Sequence, residues 1–295
     1  MGTRGVKMEV EDTALETKRP GKQLGRGVLS FFITLAIVVV LMRAMYGHVP
    51  VLARLIIGAS VAAAAYILFS RGIEHWRPPE LNTRGRIVEF AVGLAIGIGL
   101  FSAVMAVLWA LGIYHPTNWG TFAGLGSGAL FALCAAVLEE IIFRAYLFRL
   151  VSLATGTWMG LVVTSVLFGA AHAANHGATL LSSTAIALEA GVLLGAAYAI
   201  TGRLWMPIAL HFGWNFAEGT LFGMSVSGGP QTLALSRGTL SGPTILTGGA
   251  FGPEASIVSV SLCLAVGVML LWRTVRLKRI QRPMWRAEKC PAQTA

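Results

Sequence analysis

Aspartate is almost absent from this 295-residue chain, in which Asp12 is the only one. An aspartyl protease needs two carboxylates of this type that share a proton, so that mechanism is excluded. Cysteine is also scarce, and Cys134, Cys263 and Cys290 show no paired spacing. The sequence therefore predicts neither a disulfide framework nor a zinc knuckle.

Charged residues make up only 12% of the chain, while hydrophobic residues make up 55%. Several apolar runs approach the length of about 20 residues that an α-helix needs to cross a bilayer. These runs predict an all-α, polytopic membrane protein, built as a bundle of about eight transmembrane helices. The predicted spans are 28–46, 49–70, 87–112, 126–150, 157–175, 179–200, 203–223 and 256–274.

The net charge of +10 lies mostly at the ends of these spans, so it does not indicate nucleic-acid binding. Eight spans place most basic residues on the same side of the membrane. These residues lie near the start of the chain, in the loop 71–86, at Arg149 and Arg203, and near the end of the chain. The positive-inside rule then places both termini in the cytoplasm, for a multi-pass protein of the inner or plasma membrane. The predicted parts are a disordered basic cytoplasmic tail (1–27), a transmembrane domain (28–275) and a basic cytoplasmic tail (276–295).

Two adjacent glutamates and an arginine interrupt the fourth apolar run, as Glu139, Glu140 and Arg144. A charged group at membrane depth costs about 2.5–3.5 kcal/mol on insertion scales, so each one needs a partner or a function. Glu140 and Arg144 are four residues apart and share a helix face, where they can pair. Glu139 points about 100° away from Glu140. We interpret the pair as a brace and Glu139 as the reactive group; a structural ion pair beside a neutral Glu139 is the alternative.

Two later spans carry polar side chains at helical spacing. Phe168 and His172 share a face of the fifth span, and His211 and Asn215 share a face of the seventh. Such a stripe must face protein or a water-filled cavity rather than lipid. Three further polar residues have no role that the sequence assigns: His176, Glu189 and Glu218, the last of which continues the stripe of the seventh span.

Small residues and prolines indicate how the remaining segments pack. Gly93 and Gly97 in the third span suit a close approach between helices. The segment 224–255 is rich in Gly, Ser, Thr and Pro and is predicted to be irregular. At its end, Pro253 followed by Glu254 is a helix-start pattern.

Together the polar residues supply a carboxylate, two imidazoles and an amide, which are the groups that a hydrolase uses. A carboxylate can take a proton from water, an imidazole can share it, and a histidine with an asparagine can stabilise an oxyanion. If they form one site, Glu139, His172 and His211 converge within about 4–8 Å of one another, around a cavity open to water.

Three motifs on successive membrane helices resemble those of the CAAX-protease and bacteriocin-processing (CPBP) family, also called the abortive-infection family. The resemblance covers about residues 120–220 and extends to the Phe-Gly-Pro-Glu stretch at 251–254. The motifs are Glu139-Glu140-x-x-x-Arg144, Phe168-x-x-x-His172 and His211-x-x-x-Asn215.

This resemblance implies an eight-helix intramembrane endopeptidase of the glutamate type, which acts on a membrane-associated protein or peptide. It implies that Glu139 activates water with His172, and that His211 and Asn215 form an oxyanion hole. Glu140, Arg144 and Phe168 would support the site. A prenylated substrate is not carried over, because bacterial members rarely have prenylated proteins to cut.

Other functions remain open at this stage. An inactive membrane scaffold or immunity protein of the same fold would keep the motifs without cleaving anything. A transporter would also carry intramembrane acids, although it predicts repeats in both halves rather than polar groups confined to spans four to seven. Zinc is an alternative cofactor, with Glu139, His172 and His211 as ligands. The sequence lacks H-E-x-x-H, and catalysis without a metal is the prediction.

Overall fold

The computed structural model describes residues 20–231 and 233–287. Within them, seven helices are long and apolar enough to cross a membrane by length and composition, which confirms the all-α, polytopic prediction. The predicted span 203–223 is a 12-residue α-helix continued by a 5-residue π-helix. It is shorter than the other spans, and most of its residues are buried within the bundle.

The first half of the chain forms three long helices, a short strand and a fourth helix that changes its geometry. The elements are α1 (Pro20–Ala44), α2 (Val51–Gly72), α3 (Arg86–Ala110), β1 (Tyr114–Trp119) and α4 (Leu125–Glu140). A π-helical segment, Ile141–Phe148, continues α4 into α5 (Arg149–Thr155).

The second half repeats this change of geometry twice. The elements are α6 (Thr157–Ala171), α7 (Leu180–Ile186), a π-helical segment (Ala187–Gly191), α8 (Val192–Thr201), α9 (Trp205–Phe216), a π-helical segment (Ala217–Leu221), β2 (Ser236–Leu240), α10 (Thr244–Thr247), α11 (Ile257–Arg276) and α12 (Met284–Ala287). Each of the three π-helical segments among the described residues contains one acidic or basic residue, namely Arg144, Glu189 and Glu218.

Helices α3 and α9 pack with their backbones in contact, as the small residues of the third span predict. A Cβ atom on Gly93 would lie 2.4 Å from the carbonyl oxygen of Met206, and one on Gly97 would lie 2.2 Å from that of Leu210. Neither distance leaves room for a side chain. This packing holds α9 in the middle of the bundle, where its polar stripe faces other helices.

We expect Gly97→Ala to destabilise the protein by about 1–3 kcal/mol, because the new methyl group overpacks this contact. Gly99→Ala is the matched control on the same helix, since a Cβ there meets nothing within 4 Å. It should be neutral or stabilising by up to about 1 kcal/mol, from helix propensity alone. Unfolding of both variants in mixed micelles measures the difference, and equal effects would contradict close packing at Gly97.

The loops predicted to be cytoplasmic meet on one face of the bundle, which we call the basic face. Arg149 pairs with Glu74 at 2.8 Å. Arg203 donates to the carbonyl oxygen of Arg84 at 2.6 Å and pairs with Glu89. The assignment of this face to the cytoplasm is the prediction of the positive-inside rule.

Both predicted tails are partly ordered. Helix α1 begins at Pro20, before the start of the predicted span at residue 28; Pro suits the first helical turn, and Gly27 packs against Leu150. Residues 1–19 and 288–295 lie outside the described residues. The segment after α11 follows the basic face, where Arg279 donates to the carbonyl oxygen of Ile200.

The loops on the opposite face contain a structure that the sequence did not predict. Strands β1 and β2 pair antiparallel, with Tyr114 opposite Leu240 and Trp119 opposite Ser236. The prediction of an irregular segment at 224–255 is therefore wrong for β2. The five residues of β2, Ser-Arg-Gly-Thr-Leu, show no clear alternation of polar and apolar side chains, and their partner strand is distant in sequence. The sequence therefore gives no signal for this strand.

Candidate active site

The two adjacent glutamates of α4 point into different surroundings, as helical geometry predicts. The Glu140 side chain is completely buried, whereas that of Glu139 is 30% exposed. One is held inside the bundle, and the other is partly exposed, although its Oε2, which faces the histidines, is buried.

Glu140 joins two helices. Its Oε1 accepts a hydrogen bond from Arg144 at 2.8 Å, which confirms the predicted contact. The same oxygen accepts from Nδ1 of His211 at 3.0 Å. Arg144 also donates to the carbonyl oxygen of Ala190 at 3.3 Å. The pair therefore joins consecutive turns of this long helix, and Glu140 also contacts the histidine of α9.

Phe168 lies between the arginine and the first histidine. The Arg144 guanidinium lies 4.7 Å from the centre of its ring, and the centre of the His172 ring lies 4.8 Å away. The carbonyl oxygen of Phe168 is 2.7 Å from Nδ1 of His172. A carbonyl oxygen only accepts, so Nδ1 carries a proton and Nε2 of a neutral ring presents its lone pair.

Both imidazoles approach Glu139. Oε2 of Glu139 lies 3.9 Å from Nε2 of His172 and 3.9 Å from Nε2 of His211. The predicted convergence of these three side chains is therefore present in the structure. A separation of 3.9 Å exceeds a direct hydrogen bond, and a water molecule can bridge groups at this spacing.

Asn215 and the two histidines line a cavity, and Glu139 adjoins it through the two imidazoles without being a lining residue. The cavity is narrow, with room for about one or two water molecules. Much of its remaining wall is apolar, with Leu193 and Trp214 among the lining residues. The cavity thus combines polar groups that can bind water with apolar walls.

Two acidic residues without a predicted role also line this cavity, namely Glu189 and Glu254. Glu254 belongs to the short 3₁₀-helix Pro253–Ala255, which begins at the proline as the pattern predicts, and the membrane-spanning helix begins after it. Helix α11 begins at Ile257, after Ser256 accepts a hydrogen bond from the backbone N–H of Ser259. The motif-like Phe-Gly-Pro-Glu stretch was the only sequence signal for a site residue here.

Burial raises the pKa of the Glu254 carboxyl, while hydrogen bonds with Glu218 and Ser227 act in the opposite direction. Glu218, the last residue of the α9 stripe, is fully buried against Glu254. His176 is different, because it lies on an exposed loop and does not line the cavity.

Zinc was the cofactor left open by the sequence. Nδ1 of His172 and Nδ1 of His211 are held by oxygen acceptors, as is common for metal-binding histidines. Among the described residues, however, no three His, Cys, Asp or Glu side chains are placed to hold a metal ion. The ligand types fit zinc and their spacing does not, so we derive no catalytic step through a metal.

A family model described as "Type II CAAX prenyl endopeptidase Rce1-like" matches residues 121–217. This stretch contains all three motifs, and the match confirms the resemblance drawn from them. It implies a peptidase that acts on a membrane-associated protein. No curated protein matches the chain.

Proposed function

We propose that this multi-pass membrane protein is an intramembrane endopeptidase that hydrolyses a peptide bond of a membrane-associated protein or peptide. The observation that carries this proposal is the position of Glu139, whose carboxylate lies 3.9 Å from two imidazoles beside a cavity. An ion-pair brace alone would account for His211, which contacts Glu140, but would not need His172 at this place.

In the proposed reaction, Glu139 and His172 bind the attacking water. Nδ1 of His172 is protonated through its contact with the Phe168 carbonyl, so Nε2 is free to accept a hydrogen bond from that water. Glu139 takes the proton as the water attacks the carbonyl carbon, and it returns the proton to the leaving amine when the C–N bond breaks. Proton transfer of this kind contributes about 10²–10⁴-fold to rate.

In the proposed reaction, His211 and Asn215 stabilise the negative charge that develops on the carbonyl oxygen. The amide of Asn215 donates in its ordinary form. His211 already donates through Nδ1 to Glu140, so Nε2 donates only when the ring is an imidazolium. Burial opposes that charge, and the carboxylates on either side favour it. A single oxyanion donor is worth about 10²–10³-fold in kcat.

Comparative proteomics tests the proposal and identifies the substrate. Membranes that contain the wild-type protein should show new protein N-termini that are absent when Glu139→Gln is expressed at the same level. Identical sets of N-termini would favour the inactive scaffold.

Catalysis without a metal leads to a separate expectation. Cleavage by the purified protein should persist after prolonged dialysis against a strong chelator, because the base and the oxyanion donors all come from side chains. The retained rate should be within about twofold of the untreated rate. Loss of activity with recovery on addition of Zn²⁺ would contradict this prediction and support the alternative ligand set.

A further inference from the structure

A β-strand connects two membrane-spanning helices directly, on the face of the bundle opposite to the basic face. Helix α3 ends at Ala110, β1 follows at Tyr114–Trp119, and the 3₁₀ turn that opens α4 begins at Phe122. Backbone hydrogen bonds between this connection and the segment that contains β2 continue past both ends of β1. Almost the whole connection is therefore extended chain that is held in a two-stranded sheet.

The lengths of the two helices place both ends of β1 at the same boundary of the bilayer. Helix α3 begins near the basic face and has 25 residues, which gives it a length of about 37 Å. The helical stretch from Phe122 to Arg149, which lies at the basic face, rises by about 40 Å. These lengths match a bilayer with its headgroup regions, which is about 40–45 Å thick. A strand whose two ends lie at this boundary runs along it and does not project into water.

Contacts with the bundle hold the sheet at this level. The side chain of Tyr114 is buried, and its ring centre lies 6.4 Å from that of Phe222. Ala234, which precedes β2, is buried as well. The backbone N–H of Leu235 donates to the carbonyl oxygen of Thr220, in the π-helical segment after α9, at 2.8 Å. The sheet therefore packs across the end of the bundle.

Large apolar side chains are exposed beside both ends of β1. Trp119 is 84% exposed and Phe122 is 74% exposed. The exposed set, which we call the apolar rim, consists of Trp109, Leu111, Trp119, Phe122 and Leu233. Exposed apolar patches mark surfaces that bind a protein or a membrane. Tryptophan is enriched at the level of the lipid headgroups, because its apolar ring also carries a polar N–H group.

The same region carries very little charge. Within residues 111–124 and 233–241, Arg237 is the only Lys, Arg, Asp or Glu. These four types make up about 25% of an average soluble domain, so the region does not have the composition of a surface in water. Arg237 is exposed and takes part in none of the ion pairs among the described residues. An arginine in this state suits the phosphate of a lipid headgroup.

We propose that the β1–β2 sheet lies in the headgroup region of the bilayer and that the apolar rim anchors it there. The partner is a phospholipid surface, with the rim among the glycerol groups and the first methylenes of the acyl chains. This inference does not depend on the proposed function, because it concerns residues outside the candidate active site and is measured without cleavage.

The depth of the rim is measured with a nitrobenzoxadiazole label on Trp119→Cys or, as a second reporter, on Phe122→Cys. Both are made in Cys290→Ser, because the two remaining cysteines, Cys134 and Cys263, are buried. The full-length protein is reconstituted at low density in vesicles of phosphatidylcholine and phosphatidylglycerol. Nitroxides on the headgroup and in the acyl chain report the depth of the label, and iodide reports its access to water.

Both labels should lie about 15–20 Å from the centre of the bilayer, which is the headgroup region. Their quenching constants for iodide should be at least threefold lower than that of the free label in water. Gly99→Cys, halfway along α3 with nothing within 4 Å of its Cβ, is the matched control for a deep position. Strong quenching by iodide and none by the lipids would overturn the proposal. Protection from every quencher would show that a second copy or a folded segment covers the rim, and would overturn it too.

The anchoring role of the rim is tested separately from its position. A label on Asn118→Cys reports the sheet in a variant that also carries Trp119→Gln and Phe122→Gln. Without the two aromatic side chains, the quenching constant for iodide should rise at least twofold relative to Asn118→Cys alone. Equal constants would show that the helices alone hold the sheet, and would overturn the anchoring role.

Discussion

Glu139→Gln is expected to lower kcat for peptide cleavage by about 10²–10⁴-fold, because it removes the base that takes the proton from water. Glutamine has nearly the same shape, so substrate binding and KM should change little. The measurement is the steady-state cleavage of a peptide derived from the proteomic comparison, with purified protein in detergent.

The same substitution should leave the free energy of unfolding unchanged. A loss of activity without a loss of stability distinguishes a reactive glutamate from a structural one. Glu139 has no direct ion pair below 3.9 Å, and its Oε2 receives no hydrogen bond from the described residues. Glu89→Gln is the control, since this acid pairs with Arg203 at the basic face. Its kcat should stay within about twofold of wild type. Cleavage by Glu139→Gln at the wild-type rate would contradict the proposed mechanism.

Arg144→Met should destabilise the protein by about 3–5 kcal/mol, which is the cost of leaving a buried charge without its partner. Arg144 is 1% exposed and Glu140 is fully buried, so water cannot replace the lost guanidinium. Methionine keeps much of the packing volume against Phe168. Reversible unfolding in mixed micelles gives the difference in the free energy of unfolding.

The double variant Glu140→Gln/Arg144→Met shows whether the stranded charge is the cause. Its glutamine oxygen can still accept from Nδ1 of His211, so most of the lost stability should return. Arg203→Met is the matched control, because Arg203 is 28% exposed. Its effect should be about 0–1 kcal/mol, as for surface pairs. A double variant as unstable as Arg144→Met would contradict this account.

The sequence predicted the fold class and most of the site because both depend on spacing along single helices. The separation of Glu139 from Glu140 follows from α4 alone, and the shared face of His211 and Asn215 follows from α9. The convergence of Glu139, His172 and His211 was predicted from the cost of exposing polar groups to lipid, which leaves an interior cavity as their place.

What the sequence did not predict depends on contacts between distant segments. Nothing near Glu254 indicates that its turn folds back against Glu218, because this contact depends on Gly252. A Cβ there would lie 2.2 Å from the carbonyl oxygen of Ser225, and its φ of +126° favours glycine. The pairing of β1 with β2 is equally non-local. The three π-helical segments have no sequence signature, although such segments are frequent at functional sites.

The double role of Glu140 predicts a pattern of inheritance. One oxygen atom accepts from a guanidinium on its own helix and from an imidazole on another, so loss of Arg144 leaves a buried carboxylate without its cation. Homologous chains that lack Arg144 should therefore also lack the acid at position 140, and should keep there a side chain that accepts from His211.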